Sequence, residues 1–188
     1  SIQISSPAPV GIRDFVVVEG SVSLEENVEG QEFGIKADTV FVDRSAGEVC
    51  VDFSTINFND IAGMQYTLQW DPSVLTYNRI EAQVPVFAST FNPAGDDRLR
   101  YSWTNPQGVG LTLNDGTVIY RVCFDIVGDC DSSTPLNFIG ETNPPRPIEI
   151  TDGTFNSLPS NQIMMMDGLV NIDCGIRLEA DVTDVRCN

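Results

Sequence analysis

Residues 64 to 70 alternate strictly: Met64, Tyr66, Leu68 and Trp70 are apolar, while Gln65, Thr67 and Gln69 are polar. Successive side chains of a strand point to opposite faces, so this segment predicts a strand with one buried face and one wet face. The same period of two runs through 39–42, 49–53, 99–103, 118–127, 136–139 and 169–172. Turn signals separate these segments: Ala46-Gly47, Asn59-Asp60, Asp71-Pro72, Asn92-Pro93-Ala94-Gly95, Asn105-Pro106, Asn114-Asp115-Gly116 and Asp152-Gly153. No window repeats apolar residues at the helical spacing i, i+3, i+4, i+7. Residues 71–77 alone suggest a short helical turn, and there Pro72 followed by Val74 and Leu75 equally suits a loop tucked beneath a sheet. The pattern predicts an all-β, two-sheet sandwich.

Both ends of the chain differ from its middle. Residues 1–32 hold Ser5-Ser6-Pro7-Ala8-Pro9, then Phe15-Val16-Val17-Val18, then the acidic Glu25-Glu26-Asn27-Val28-Glu29. They read as an arm carrying one or two strands. After Cys174, residues 175–188 alternate weakly and read as an exit linker or the first strand of a following repeat. The chain opens on Ser1, without Met or a basic-then-apolar leader, so a processed or truncated start is expected.

Composition narrows the function. The 188 residues suit one well-buried domain with attached arms. Ten basic residues against 27 acidic ones give a formal charge of −17, which disfavours phosphate-backbone binding and attraction to an anionic membrane. A hydrophobic content of 41% is ample for a core, so the acidity is not a sign of disorder. The absence of histidine excludes Ser-His-Asp and Cys-His nucleophile systems and every His-containing zinc site. No apolar run approaches the ~18 residues of a membrane helix. A glycosidase needs two carboxylates across a cleft, and no pair is placed that way by the pattern, so no enzyme activity is expected.

The carboxylate clusters Asp96-Asp97, Asp125 with Asp129 and Asp131, and Glu25 with Glu26 and Glu29 are candidate Ca²⁺ ligands. They match no recognised calcium loop, so a solvated acidic surface is the plainer reading and no cofactor is expected. Trp70 and Trp103 are candidates for a carbohydrate-stacking platform, but both fall in phase with core residues. Ile163 to Met166 suits an exposed adaptable patch or, more simply, a strand or loop edge covered by the fold. The five cysteines, at 50, 123, 130, 174 and 187, suggest an oxidising, extracytoplasmic setting. Cys50 and Cys123 lie out of phase with Val49, Val51, Val122 and Phe124 and are expected to point away from the core. Buried free thiols are the alternative.

The middle of the chain resembles the cohesin family of bacterial extracellular modules. The resemblance is carried by Gly47 to Phe53, by Asn59-Asp60-Ile61-Ala62-Gly63 running through Met64 to Trp70 into Asp71-Pro72-Ser73-Val74-Leu75, by Leu99 to Trp103 and by Asp115 to Tyr120. It covers roughly 33–174 and implies a nine-stranded jelly-roll sandwich whose terminal strands lie close together. It also implies that the strands carrying Cys50 and Cys123 are neighbours, making these two the first-choice disulfide, with Cys130 and Cys174 the natural second pair. A second resemblance, of 180–188 to the opening strand of sandwich repeats in giant surface adhesins, points to a larger surface protein.

Cohesins bind dockerins on one sheet face. Here that candidate partner face consists of Gln65, Thr67, Gln69, Arg98, Arg100 and Ser102, with Thr104. No dockerin-like calcium loop occurs in the chain. The expected function is a non-enzymatic structural or adhesive module at the cell surface, assembling with copies of itself or with neighbouring domains. The donor would be the strand containing Ile12, Phe15, Val16, Val17 and Val18, apolar on both faces and so suited to adding to a sheet edge. The alternative is a recognition module for a dockerin-like peptide or a carbohydrate on the exposed sheet face.

Overall fold

The computed structural model describes residues 32–88 and 91–174, together with the backbone of two short strands near the start of the chain. Those two, β1 (Phe15–Val18) and β2 (Ser21–Leu24), pair antiparallel as a hairpin. The expectations placed on Ile12, the side chains of Phe15 to Val18, Glu25, Glu26, Glu29, Cys187 and residues 175–188 lie outside the described residues. The remaining strands are β3 (Phe33–Ala37), β4 (Thr39–Asp43), β5 (Glu48–Ile56), β6 (Ile61–Gln69), β7 (Leu75–Ala82), β8 (Phe91–Pro93), β9 (Arg98–Thr104), β10 (Val118–Ile126), β11 (Ser133–Ile139), β12 (Glu141–Thr142), β13 (Pro145–Arg146), β14 (Glu149–Asp152), β15 (Ile163–Met166) and β16 (Gly168–Asp173).

They build a jelly-roll sandwich. One sheet has the order β15-β3-β5-β10-β7; the other runs β4-β16-β11-β6-β9-β8, with β14 also pairing with β6. Two parallel pairs, β15 with β3 and β16 with β4, bring the two ends of the domain together. Each of those strands is one run of chain broken in the middle, at Asp38 and at Asp167, so that it passes from one sheet to the other. The crossing is tight at Gly168, where a Cβ atom would come within 2.7 Å of the Asp38 carbonyl oxygen and 2.8 Å of the Ala37 Cβ, so only glycine fits without a shift. Counting each broken run once gives the nine strand positions implied by the resemblance. The β12–β13 hairpin and β14 are additions within the connection between β11 and β15.

Period-two alternation explains the core. The inward residues of β6 and β9 are buried, including Tyr66, Leu68, Leu99, Tyr101 and Trp103, and they meet Val51, Phe53, Tyr120, Val122 and Phe124 of the opposite sheet. Aromatic rings fill the gap: Tyr66 stacks on Tyr101 at 4.7 Å, Phe53 stacks on Tyr120 at 4.8 Å, and Trp70 meets Phe124 edge-on at 5.1 Å. A hydroxyl taken out of water needs a partner. Tyr66 and Tyr120, one from each sheet, hydrogen-bond to each other, and burial pushes both hydroxyls well above the usual tyrosine range. Both tryptophans are core residues, 4% and 2% exposed, and Trp70 Nε1 donates to the Leu75 carbonyl at 3.0 Å. Neither can serve as a sugar-stacking platform.

The structure refines two local expectations. The expected turn is present at Pro72–Val74, with Val74 and Leu75 buried and both donating to the Asp71 carbonyl, but from Leu75 the chain continues to Ala82 as the edge strand β7, its backbone pairing with β10 from Leu75↔Ile126 to Ala82↔Tyr120. Cys123 points away from the core as its phase implies, yet it is fully buried, whereas Cys50 keeps partial exposure. The two cysteines face each other across β5 and β10 and form a disulfide with Cα atoms 4.0 Å apart. Arg79, opposite Cys123 in register, reaches Glu48 and Glu81 across that outer surface and helps cover the bridge. Cys130 and Cys174 form the second disulfide, tying the turn before β11 to the end of β16.

Candidate functional site

The sandwich has two outward faces, and their chemistry differs. On the five-stranded sheet, basic side chains are spent on neighbouring acids: Arg79 pairs with Glu48 and Glu81, and Arg121 Nε donates to Asp52 at 2.6 Å. Arg79 holds the Glu48 carboxyl below its ordinary pKa. The face of the other sheet is built on β6, β9 and β11 from mostly neutral side chains plus arginines. Cross-strand register sets Gln65 opposite Ser102, Thr67 opposite Arg100 and Gln69 opposite Arg98, with Ile139 and Asn137 of β11 beside Thr67 and Gln69. The backbone therefore gathers all six expected face residues on one surface.

Their accessibility is uneven. Ser102 and Thr104 are exposed, and Gln65, Gln69, Arg98 and Arg100 are half-buried. Thr67 is fully buried, so a partner reaches it only where the chain covering it moves aside. The reason is the chain leaving β11. Beyond Gly140, whose missing Cβ leaves room for Pro147 and Ile148, the β12–β13 hairpin folds over the sheet and the chain rejoins it as β14 alongside the first half of β6. Glu141 of that hairpin lands on the centre of the face and is 8% exposed. It accepts from Thr67 Oγ1 at 3.0 Å, from Arg100 Nε at 2.9 Å and from Arg100 Nη2 at 2.5 Å. Gln65 Nε2 donates to the Pro147 carbonyl at 3.2 Å, securing the other leg of the hairpin.

A two-point contact between a guanidinium and a nearly dry carboxylate strongly favours the ionised form. The Arg100 guanidinium, helped by the Thr67 hydroxyl, lowers the Glu141 pKa from 4.5 to about 2 against the opposing effect of burial, while Glu141 raises that of Arg100. At the edge of the face, Gln69 Nε2 donates to Asp97 Oδ2 at 3.2 Å, and Arg98 Nε lies 3.4 Å from the same carboxylate oxygen. Residue patterning pointed to Thr67 and Arg100 but missed Glu141 and the hairpin. The available signal was Asn143-Pro144-Pro145, a turn flanked by an acid at 141 and a base at 146.

Among the described residues, the acidic clusters at Asp96-Asp97 and at Asp125, Asp129 and Asp131 do not converge into a cation site. Asp97 takes the contacts just described, Asp125 accepts from Asn78 at 2.9 Å, and Asp129 pairs with Arg44 at 3.4 Å. Among the described residues, the one group of three possible metal ligands within 4.8 Å of one another is Glu48, Cys50 and Cys123, and its two sulfurs are consumed in the disulfide.

Solved structures that superpose on this sandwich include cohesins. The sixth cohesin of scaffoldin B from Acetivibrio cellulolyticus, solved in complex with a Cel5 dockerin mutant, superposes with a TM-score of 0.61 at 20% identity over 77% of this chain and 99% of its own. The fold is that of a cohesin domain. A Clostridium thermocellum cohesin, solved as the Coh-OlpC–Doc435 complex, gives a TM-score of 0.61 at 16% identity over 80% of this chain and 99% of its own. A non-cellulosomal cohesin from the archaeon Archaeoglobus fulgidus gives 0.56 at 18% identity over 75% and 91%. No protein-family model and no curated protein sequence matches the chain. The cohesin fold accounts for the two sheets and the paired terminal strands.

Proposed function

We propose that this cohesin-like sandwich, residues 33–174, is a non-catalytic recognition module that binds a partner protein on the outward face of its β6–β9–β11 sheet, with dockerin domains as the first class of partner. Residues 1–32 and 175–188 are its flanking segments. The observation that carries this reading is the match of nearly whole cohesin chains, solved with dockerins bound, to this sandwich. The two disulfides support an extracellular or cell-surface setting. The test is titration of the purified chain against a dockerin panel, with Ser102→Arg as the face variant. Saturable binding that weakens at least about tenfold in the variant, the scale of one lost interface anchor, is expected. Failure of every dockerin to bind, or binding unchanged by Ser102→Arg, refutes it.

One observation favours a second reading, a structural or adhesive module assembling by strand donation. β4 is the edge of its sheet and carries Phe41, 68% exposed, so that edge can accept another strand. Phe15 to Val18 of another copy is the candidate donor, and donation would use the edge of β1 not paired with β2. Deleting residues 1–20 and measuring mass by light scattering tests it; a full chain that is monomeric at high concentration rules it out.

A further inference from the structure

Resting on the recognition-face reading above, we propose that Glu141 is an internal stand-in for a partner's carboxylate. The partner is then an acidic protein segment that takes the Arg100–Thr67 seat by displacing the β12–β13 hairpin.

The seat is a complete carboxylate-binding device built into the sheet. Arg100 presents Nε and Nη2 side by side, Thr67 presents a hydroxyl, and all three donate to the two oxygens of one carboxylate. Arg100 and Thr67 sit directly opposite each other on paired strands, so the sheet fixes where the two side chains leave the backbone. A guanidinium held in this orientation recognises any carboxylate in the same two-point way.

The hairpin is held by few contacts, nearly all of them polar. Its strands are two residues each, and from Gly140 to Pro147 the one buried side chain is Glu141 itself. No apolar side chain between Gly140 and Pro147 enters the core, and among the described residues the hydrogen bonds that hold the hairpin to the face are those of Glu141 and the one from Gln65 to Pro147. Contacts of this kind can be replaced one for one by an incoming carboxylate, whereas buried apolar area cannot. Short strands with few apolar anchors belong to the part of a protein that opens most easily.

Charge supports an acidic occupant. The chain carries −17 overall, yet three of the seven basic residues within 32–174, Arg98, Arg100 and Arg146, lie on this face or on the hairpin covering it. Arg146 is opposite Glu141 in the hairpin register, so the two side chains project from the same side. Its Nε is buried without a hydrogen-bond partner among the described residues, leaving a second donor for an acidic chain. Of the nearby acids, Asp97 is shared by Gln69 and Arg98, and Glu149 accepts from Ser157. Once Glu141 leaves, Arg100 has no other acid among the contacts described for it.

Calorimetric titration with a hexaglutamate peptide tests the seat, with hexaglutamine as the uncharged control. Glu141→Ala is expected to bind hexaglutamate at least about tenfold more tightly than wild type, the scale of one charge-assisted contact freed from competition. Adding Arg100→Ala to that variant should return binding to the wild-type level. Glu141→Gln, which keeps the side-chain volume, is the second variant if Glu141→Ala does not fold. In wild type saturated with the peptide, amide hydrogen exchange at Glu141, Thr142, Asn143 and Arg146 should accelerate. Equal affinities for wild type and variant, an increase that survives Arg100→Ala, or unaccelerated exchange overturns the proposal. A dockerin bound equally by wild type and Glu141→Ala, with no peptide effect, refutes the seat and leaves the recognition face standing. Arg100-dependent peptide binding with no dockerin bound does the reverse.

Discussion

Replacing Glu141 with Gln should open a stability gap that depends on pH. In the native state its carboxyl is held at about 2 rather than 4.5, chiefly by the hydrogen-bonded Arg100. That depression corresponds to about 3 kcal/mol favouring the ionised native form, since each tenfold change in proton affinity is worth about 1.4 kcal/mol. Because the folded pKa lies below the unfolded one, this stabilisation is fully present above pH 4.5 and is lost as pH falls toward 2. A glutamine keeps the shape but not the charge, and it turns an amide toward donors that need an acceptor. At pH 7, Glu141→Gln should therefore lose up to about 3 kcal/mol, or about 10 °C in Tm for a domain of this size. Removing one negative charge from a chain at −17 relieves some self-repulsion and trims that loss. Other depressed carboxyls, on Glu48, Asp71 and Asp152, also shape the acid limb, but they are common to both proteins and cancel in the difference. The assay is urea unfolding of wild type and variant at pH 7, 5, 4, 3 and 2.5. A gap that stays constant from pH 7 to 2.5, or is absent at pH 7, would refute the assignment of an ionised, Arg100-bound Glu141.

Trp70→Ala should cost about 3–5 kcal/mol in the same assay, the range for deleting a large buried aromatic; an unfolding midpoint within error of wild type would contradict its place against Phe124. The Cys50–Cys123 bridge closes a 73-residue separation, for which the loop-entropy model gives about 4 kcal/mol, so Cys50→Ala with Cys123→Ala should lower stability on that scale. Intact-mass measurement under non-reducing conditions should show the wild-type chain lighter by two hydrogens for each bridge; no mass difference on reduction would mean that the thiols are free.

The strand character of β5, β6, β9, β10 and β16 and the inward or outward phase of residues 64–69 on β6 were legible in the alternation alone. A pleated strand imposes a period of two, so sequence phase translates directly into face. Gln65 and Gln69 point outward while Tyr66, Leu68 and Trp70 lie in the core for that reason. The same logic marked Arg100 and Ser102 as members of one surface without saying what else lies on it. Tertiary structure decided what phase cannot report. Thr67 is outward by phase yet buried, because a hairpin seventy-four residues further along the chain sets Glu141 on its hydroxyl. Cys123 is outward by phase yet fully buried beside its partner and beneath a neighbouring charged network. β7 and β15 gave weak local signals, since an edge strand takes its identity from the neighbour that pairs with it. Local pattern encodes which side of a strand meets the core, whereas the covering of the outer side depends on contacts between distant segments, and here those contacts shape the candidate site.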